Sequence, residues 1–307
     1  MAKRATGVAE SNGIEIAYET FGTNEASAIL LVMGLGAQMI SWPDEICDKL
    51  AADHLVVRFD NRDIGLSSHL DMLAAPPVTS IFLGRQKAPY TIGDMANDAA
   101  GLLDELGLEQ VHVAGVSMGG FIAQSLAILH PERVQSLCLV MTSSGARFVG
   151  APKPQVALRL ARRRPATSRE QAVASSVETF KLIGSPGFPF DEERTADLAG
   201  RSYDRAYDPA GVQRQMAAIG AQPDRTTLLR RVRVPTVVIH GLSDPLVAVS
   251  GGRALARAIP GARFVAVPGM GHDLPRAVWP RFVEEVEKVA ARAESPSFPA
   301  RSGRAPA

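Results

Sequence analysis

The sequence predicts an α/β protein: a mostly parallel central sheet, helices on both faces, and a helical segment inserted late in the chain. Three observations carry this. Short, predominantly apolar runs recur at 28–33, 55–59, 111–116, 134–141 and 234–240, as strands buried on both faces require. Stretches with a 3.6-residue apolar period lie between most of them, the alternation that builds parallel sheets. From Gly145 to Val232 the rhythm stops, then the strand pattern resumes.

In chain order, 14–20 alternates Ile14, Ile16 and Tyr18 with Glu15, Ala17 and Glu19 and reads as the first strand. The run 28–33 ends in Gly34-Leu35-Gly36, and the run 55–59 ends at Asp60. Between them Pro43, at a first helical position, opens a helix over about 44–52. Thr91-Ile92-Gly93-Asp94 has the form of a capping box; its helix puts Met95, Ala99, Leu102, Leu103 and Leu106 on one face and stops at Gly107. A strand at 111–116, a helix at 119–130 and a strand at 134–141 follow. After the interruption come a strand at 234–240, a helix at 251–258, a strand at 263–267 and a last helix after Pro280. Pro and Gly break the interval 145–232 at Pro152, Pro154, Pro165, Pro186-Gly187, Pro189, Pro209 and Pro223, so it reads as a helical insertion with no strand. The expected division is a core over 1–144 and 233–293, a helical cap over 145–232, and a disordered tail over the Pro/Ser/Arg-rich residues 294–307.

Composition narrows the function classes. Apolar residues make up 46% and charged residues 21%, an ordinary globular balance. Thirty-three basic residues nearly cancel thirty-two acidic ones, and no basic run is interleaved with aromatics, which argues against a nucleic-acid partner. The interval 145–232 is more basic than the rest, with fifteen cationic and nine anionic side chains. Two cysteines, Cys47 and Cys138, rule out a disulfide framework and read as reduced core thiols. The basic start MAKRATGVAESNG lacks an apolar region behind it, and no apolar run approaches a membrane span, so a cytoplasmic location is expected.

The chemistry centres on Gly115-Val116-Ser117-Met118-Gly119, a G-x-S-x-G turn between an expected strand and an expected helix. In that context the serine sits on a sharp turn, the flanking glycines leave room for neighbouring backbone, and the hydroxyl projects outward. A serine at its free pKa needs a base and an acid that orients it. Asp244 follows the strand at 234–240, within His240-Gly241-Leu242-Ser243-Asp244-Pro245. His272 follows the strand at 263–267, within Pro268-Gly269-Met270-Gly271-His272-Asp273. All three lie at C-terminal strand ends, where open α/β sheets gather their sites. The backbone N–H of Met118 supplies one oxyanion donor, and the Leu35 N–H, in the loop opened by Gly34, is the choice for the second. No cofactor and no metal site are expected.

Competing readings exist. Of the six histidines, His112 lies within a strand and His130 at a helix end, both structural positions; His240 precedes Asp244 and falls in the wrong order for the base. Asp273 is less well placed than Asp244 to reach the far nitrogen of His272. Gly34-Leu35-Gly36 with Asp60 mimics a dinucleotide fingerprint, but Met39 occupies the third glycine position and Trp42-Pro43 delays the helix. Arg62, in the polar loop after the strand at 55–59, either buttresses the oxyanion loop or satisfies its own loop backbone. The cluster Arg159, Arg162, Arg163, Arg164 and Arg169 reads as a solvated helix face or as a contact for anionic lipid headgroups.

The segments LLVMGLGAQMISWPDE, VVRFDNRDIGLSS, VAGVSMGG, VIHGLSDPLV and PGMGHDLP resemble the α/β-hydrolase superfamily over roughly residues 12–292, in the branch containing aclacinomycin methylesterase and actinobacterial carboxylesterases. The resemblance implies Ser117, Asp244 and His272 as catalytic triad, Leu35 and Met118 as oxyanion donors, and a substrate-shaping lid over the insertion. Met33 stands where many relatives carry His before the glycine. The expected function is hydrolysis of a small-molecule or lipid carboxylic ester through an acyl-enzyme. A thioester or phospholipid acyl donor, perhydrolysis, and a non-catalytic ligand receptor are the alternatives on the same fold.

Overall fold

Asn12 and Gly13 take φ of 51° and 79°, the mirror-image turn whose twist matches that of paired strands. They join β1 (Arg4–Ser11) to β2 (Ile14–Phe21) as an antiparallel hairpin in which Ser11 faces Ile14. The expectation of a first strand at 14–20 therefore missed β1. The computed structural model describes residues 3–23, 26–77 and 87–295; most of the tail expected over 294–307 lies outside them.

The strands β3 (Ala28–Val32), β4 (Leu55–Phe59), β5 (Val111–Val116), β6 (Val134–Val140), β7 (Thr236–Gly241) and β8 (Arg263–Val267) complete an eight-stranded sheet of order β1-β2-β4-β3-β5-β6-β7-β8. From β4 to β8 every pairing is parallel; β2 is antiparallel to both of its neighbours, β1 and β4, so it alone runs against the others. Strand alternation sorts the core into two layers. Ala28, Leu30 and Val32 of β3 pack with Met95, Ala99, Leu102 and Leu103 of α2 (Ile92–Glu105) and Ile122 and Leu126 of α3 (Met118–Leu129). Ile29 and Leu31 point the other way, to Ile46 and Leu50 of α1 (Asp44–Leu50) and to Phe282 and Val286 of the C-terminal helix 279–294. Trp42 stacks on Phe282 there, ring centroids 5.5 Å apart. The expected helices on both faces are thus in place, each helix burying one stripe.

Local chemistry sets the ends of α2. Thr91 Oγ1 accepts the Asp94 N–H at 3.1 Å while Asp94 Oδ2 accepts the Thr91 N–H at 2.8 Å, a complete capping box. Past the last turn, Leu108 N–H donates to Leu103 O and Gly107 N–H to Asp104 O, with Gly107 at φ 65°, the Schellman closure that favours glycine.

Between β6 and β7 the chain forms α4 (Pro154–Ala161), α5 (Arg169–Ile183), α6 (Glu192–Arg205), α7 (Pro209–Ala221) and the single turn α8 (Thr226–Leu229). Several prolines that break the sequence pattern turn out to mark helix starts: Pro154 and Pro209 occupy the first turns of α4 and α7. Ser168, Asp191 and Asp208 cap α5, α6 and α7 through their side-chain oxygens. After β7 come α9 (Ser250–Ala258) and, after β8, α10 (Trp279–Glu294).

The sheet order places the chain's change of direction between β3 and β5, and the register pairs Val32 with Gly115. The loops leaving these two strands therefore emerge side by side, at the switch point where open α/β sheets bind ligands.

Two predictions follow from these local features. A Cβ at Gly13 or at Gly107 would meet no atom within 4 Å, so substitution by Ala costs only the backbone strain of a positive φ. Gly13→Ala and Gly107→Ala should each lower unfolding free energy by about 1–2 kcal/mol, read from denaturant midpoints. Burial holds the imidazoles of His112 and His240 below their ordinary value of 6.5. The unfolded chain takes up protons there that the folded one refuses, so this contribution is complete above pH 6.5 and shrinks as the pH falls. The decline in stability between pH 6.5 and 5.5 should be shallower in His112→Gln than in the parent chain.

Candidate active site

Ser117 stands between the end of β5 and the first residue of α3 with φ 55° and ψ −116°, a conformation costly for a side-chain-bearing residue. The neighbours leave no slack. A Cβ on Gly115 would come within 2.3 Å of Gly119 O, and one on Gly119 within 2.1 Å of Val32 O. Ser117 N–H donates to Val140 O at 2.9 Å, while Ser117 O accepts from Gly120 N–H at 3.0 Å and Thr142 Oγ1 at 2.8 Å. The turn is thus clamped to β6 on both sides, and the hydroxyl sits at the N-terminus of α3, where a helix favours negative charge.

The loops after β7 and β8 bring Asp244 and His272 to this hydroxyl. His272 Nε2 lies 3.0 Å from Ser117 Oγ, and His272 Nδ1 lies 2.8 Å from Asp244 Oδ2. Asp244 Oδ1 accepts the N–H groups of Leu246 at 2.9 Å and Val247 at 2.8 Å, which leaves Oδ2 aimed at the imidazole. With a carboxylate on one nitrogen, Nδ1 carries the proton and Nε2 is free to accept from the serine. Asp244 and His272 are both buried, so neither charge nor hydrogen bond is diluted by bulk water.

The early loop lies against the turn. A Cβ on Gly34 would be 3.3 Å from Ser117 Cβ and 3.9 Å from Met118 N, so only a small residue lets the loop come this close. Asn61 Nδ2 donates to Met33 O at 3.0 Å, and Gln215 Oε1 accepts the Gly36 N–H at 3.0 Å. The side chain of Arg62 takes neither of the two places open to it, as a buttress of the oxyanion loop or as a partner for its own loop backbone. Its side chain turns away to Asp98, Nε and Nη2 each at 2.6 Å from a carboxylate oxygen, under the Tyr90 ring. Only its carbonyl contributes to the loop, accepting from Gln215 Nε2 at 2.8 Å. Asn61 and Gln215 are the side chains that hold the loop, and Gln215 reaches it from the inserted helices, a contact no local pattern announces.

A second long-range contact holds the loop bearing His272. At the end of α5, Ile183 O accepts the His272 N–H at 2.7 Å, and Ser185 Oγ accepts the Gly271 N–H at 2.8 Å while donating to Asp273 Oδ1. Gly187 N–H donates to Gly269 O at 2.9 Å, and a Cβ on Gly271 would collide with Gly184 O. Asp273 thus faces Ser185 and not His272, its carboxyl pushed up by burial. His240 lies behind Asp244. Its Nε2–H donates to Val247 O at 2.8 Å, and the ring packs edge-on against Gly252, a supporting place for Asp244.

Asp60 is consumed inside the protein. Its Oδ1 accepts the Met39 N–H at 2.6 Å and its Oδ2 accepts the Leu66 N–H at 2.9 Å and Arg205 Nη2 at 3.1 Å. Nothing of it is left for a ribose hydroxyl, which disposes of the dinucleotide reading. Above the sheet edge, the inserted helices roof a cavity of about 1840 Å³, well beyond the roughly 300–1,000 Å³ of drug-sized sites. Ser117, His272, Gly34 and Leu35 line its floor, and Phe121, Phe180, Leu198, Met216 and Ile219 are among its apolar walls.

A family model for the alpha/beta hydrolase fold matches residues 27–275. Rhodomycin D methylesterase DauP of Streptomyces sp. (strain C5) is 31% identical over 285 residues, spanning 85% of this chain and 89% of its own length. Rhodomycin D methylesterase DnrP of Streptomyces peucetius is 31% identical over 283 residues, with the same coverage of both chains. The crystal structure of the enol-lactonase from Burkholderia xenovorans LB400 superposes with a TM-score of 0.72 at 25% identity, over 93% of this chain and 100% of the other. With the family model covering most of the chain and the sheet order and strand-end loops described above, the protein belongs to the alpha/beta hydrolase fold family.

Proposed function

We propose that this protein hydrolyses a carboxylic ester, with Ser117 as nucleophile, His272 as general base and then acid, and Asp244 as the group that orients His272. The observation that carries the reading is the unbroken chain Ser117 Oγ–His272–Asp244, at 3.0 and 2.8 Å, on the floor of a largely apolar cavity. Relatives named as methylesterases, and one named 3-oxoadipate enol-lactonase 2, support cleavage of a carbonyl–oxygen bond.

His272 Nε2 takes the Ser117 proton as Oγ attacks the ester carbonyl. The resulting oxyanion sits between the N–H groups of Leu35 and Met118, neither of which donates to a protein acceptor among the described residues. Collapse expels the alcohol, protonated by the imidazolium, and leaves an acyl group on Ser117. Water then gives up a proton to His272, attacks the acyl carbon and releases the acid, returning the proton to Ser117. Asp244 stays ionised throughout and stabilises the imidazolium. The helices over 145–232 serve as a lid, and the cavity beneath them suits an ester with at least one bulky, apolar partner.

Ser117→Ala should reduce turnover of p-nitrophenyl butyrate at least about 10⁴-fold and abolish labelling by a fluorophosphonate; equal rates in the two proteins would end this reading. Ser185→Ala removes the hydroxyl that fixes the loop of His272. It should lower kcat and the fluorophosphonate labelling rate together, by roughly ten- to a hundredfold, with KM little changed and with Ser185→Thr recovering part of the loss.

A further inference from the structure

The inserted helices are not evenly decorated. Between Arg147 and Arg169 the sequence carries seven cationic side chains and no carboxylate. Five of the seven, Arg147, Lys153, Arg159, Arg162 and Arg164, form no ion pair among the described residues; Arg163 reaches Glu178 only at 3.9 Å, and Arg169 pairs with Asp204. Of the eight cations later in the insertion, four are matched among the described residues, Lys181 with Glu192 at 2.6 Å, Arg201 with Asp197 at 2.9 Å, Arg205 with Asp60 at 3.1 Å and Arg214 with Asp63 at 2.7 Å, and that stretch carries carboxylates throughout. An unbalanced field of this kind is a footprint for an anionic surface.

The same segment exposes apolar groups. In α4, Val156, Ala157, Leu160 and Ala161 line the cavity, as do Lys153, Arg163 and Arg164 at its two ends, while Leu158, Arg159 and, just past the helix, Arg162 face solvent, Leu158 being 51% exposed. The helix is a thin wall with the cavity on one side and a cationic, partly apolar face on the other. Just before it, Phe148 stands at the tip of a turn closed by Val149 N–H to Ala146 O, with φ of 64° and 83% of its surface exposed. A bulky residue in the left-handed region is strained, and here the strain holds an aromatic ring outward under the Arg147 guanidinium, 4.9 Å from its centroid. Gly150, two residues on, lines the cavity.

We infer that the segment 147–164 docks on the surface of an anionic lipid bilayer, with Phe148 and Leu158 entering the headgroup layer and the outward-facing Arg147, Arg159 and Arg162 meeting lipid phosphates. Cations near such a surface and a shallow apolar insertion reinforce each other, and a membrane supplies both, whereas a polyanion such as RNA supplies only the first. Docking in this place would set the α4 wall between the cavity and the lipid phase. No helix among the described residues is long and apolar enough to cross a membrane, so the contact is peripheral. The inference concerns binding and does not rest on the proposed chemistry.

The test is co-sedimentation of the full chain with vesicles of phosphatidylcholine alone and of phosphatidylcholine with phosphatidylglycerol, at low and high salt. The expected result is partitioning that requires phosphatidylglycerol and weakens with salt. It should fall about tenfold or more in Arg159→Ala/Arg162→Ala and fall again in Phe148→Ser or Leu158→Ser. Ser117→Ala should bind as the parent does, and all three surface variants should keep the parent's rate on soluble p-nitrophenyl butyrate, which separates failure of docking from failure of hydrolysis or of folding. Absence of phosphatidylglycerol-dependent binding would overturn the inference. So would binding untouched by the arginine substitutions, or retention on single-stranded RNA with none on vesicles.

Discussion

The structure depends on one tight spot: the crossing of the Ser117 turn with the end of β3 and the start of α3. Gly119 lies so close to Val32 O, and Gly115 to Gly119 O, that a single methyl group at either place has nowhere to go. Ser117 keeps its unfavourable φ because β6 binds its N–H and Thr142 its carbonyl. Strain of this kind persists only when the surroundings over-determine it. What results is a hydroxyl held at a helix N-terminus, beside a glycine loop and within reach of loops from two further strands. Parallel pairing supplies the rest, because it delivers the C-terminal ends of β3, β5, β7 and β8 to one rim.

The inserted helices attach to that rim through buried charge. Arg214 clasps Asp63 with two hydrogen bonds of 2.7 and 2.9 Å, Arg205 reaches Asp60, and Gln38 donates to Ser202 O and Ala206 O. Desolvating such groups offsets much of their attraction, so they contribute less to stability than their geometry suggests; removing one partner alone, however, costs about 3–5 kcal/mol. Their larger effect is on orientation. Asp60 and Asp63 sit on the loop that also supplies Asn61 to Met33 O, so one stretch of backbone sets both the glycine loop beside Ser117 and the seat of α6 and α7.

Legibility in the sequence followed locality. The buried strands announce themselves as short, predominantly apolar runs, and the capping box at Thr91 and the stop at Gly107 are readable because each involves residues a few positions apart. Ser117, Asp244 and His272 were found because each sits at the end of such a run. β1 leaves little apolar pattern because only Ala9 and Ser11 of it are fully buried and Val8 points outward; its one local signal is the Asn12-Gly13 pair. Arg62 was read from its loop, yet its partner Asp98 lies on a helix far along the chain. Gln215, Ser185 and the carbonyl of Ile183 were invisible for the same reason: their contacts span long separations and leave no periodicity.

The grip of Ser185 and Ile183 on the loop of residues 269–273 limits how the cavity can admit a guest. Lifting the α5–α6 corner would pull on the backbone of His272 itself, so opening there would disturb its contacts with Ser117 and Asp244. The start of α4 is tied instead to the loop of Asp244, Lys153 N–H donating to Pro245 O at 2.9 Å, while its far end lies free of both loops among the described residues. Entry past the far end of α4 would pull on neither loop, so the cavity can open there while the contacts of His272 with Ser117 and Asp244 stay in register.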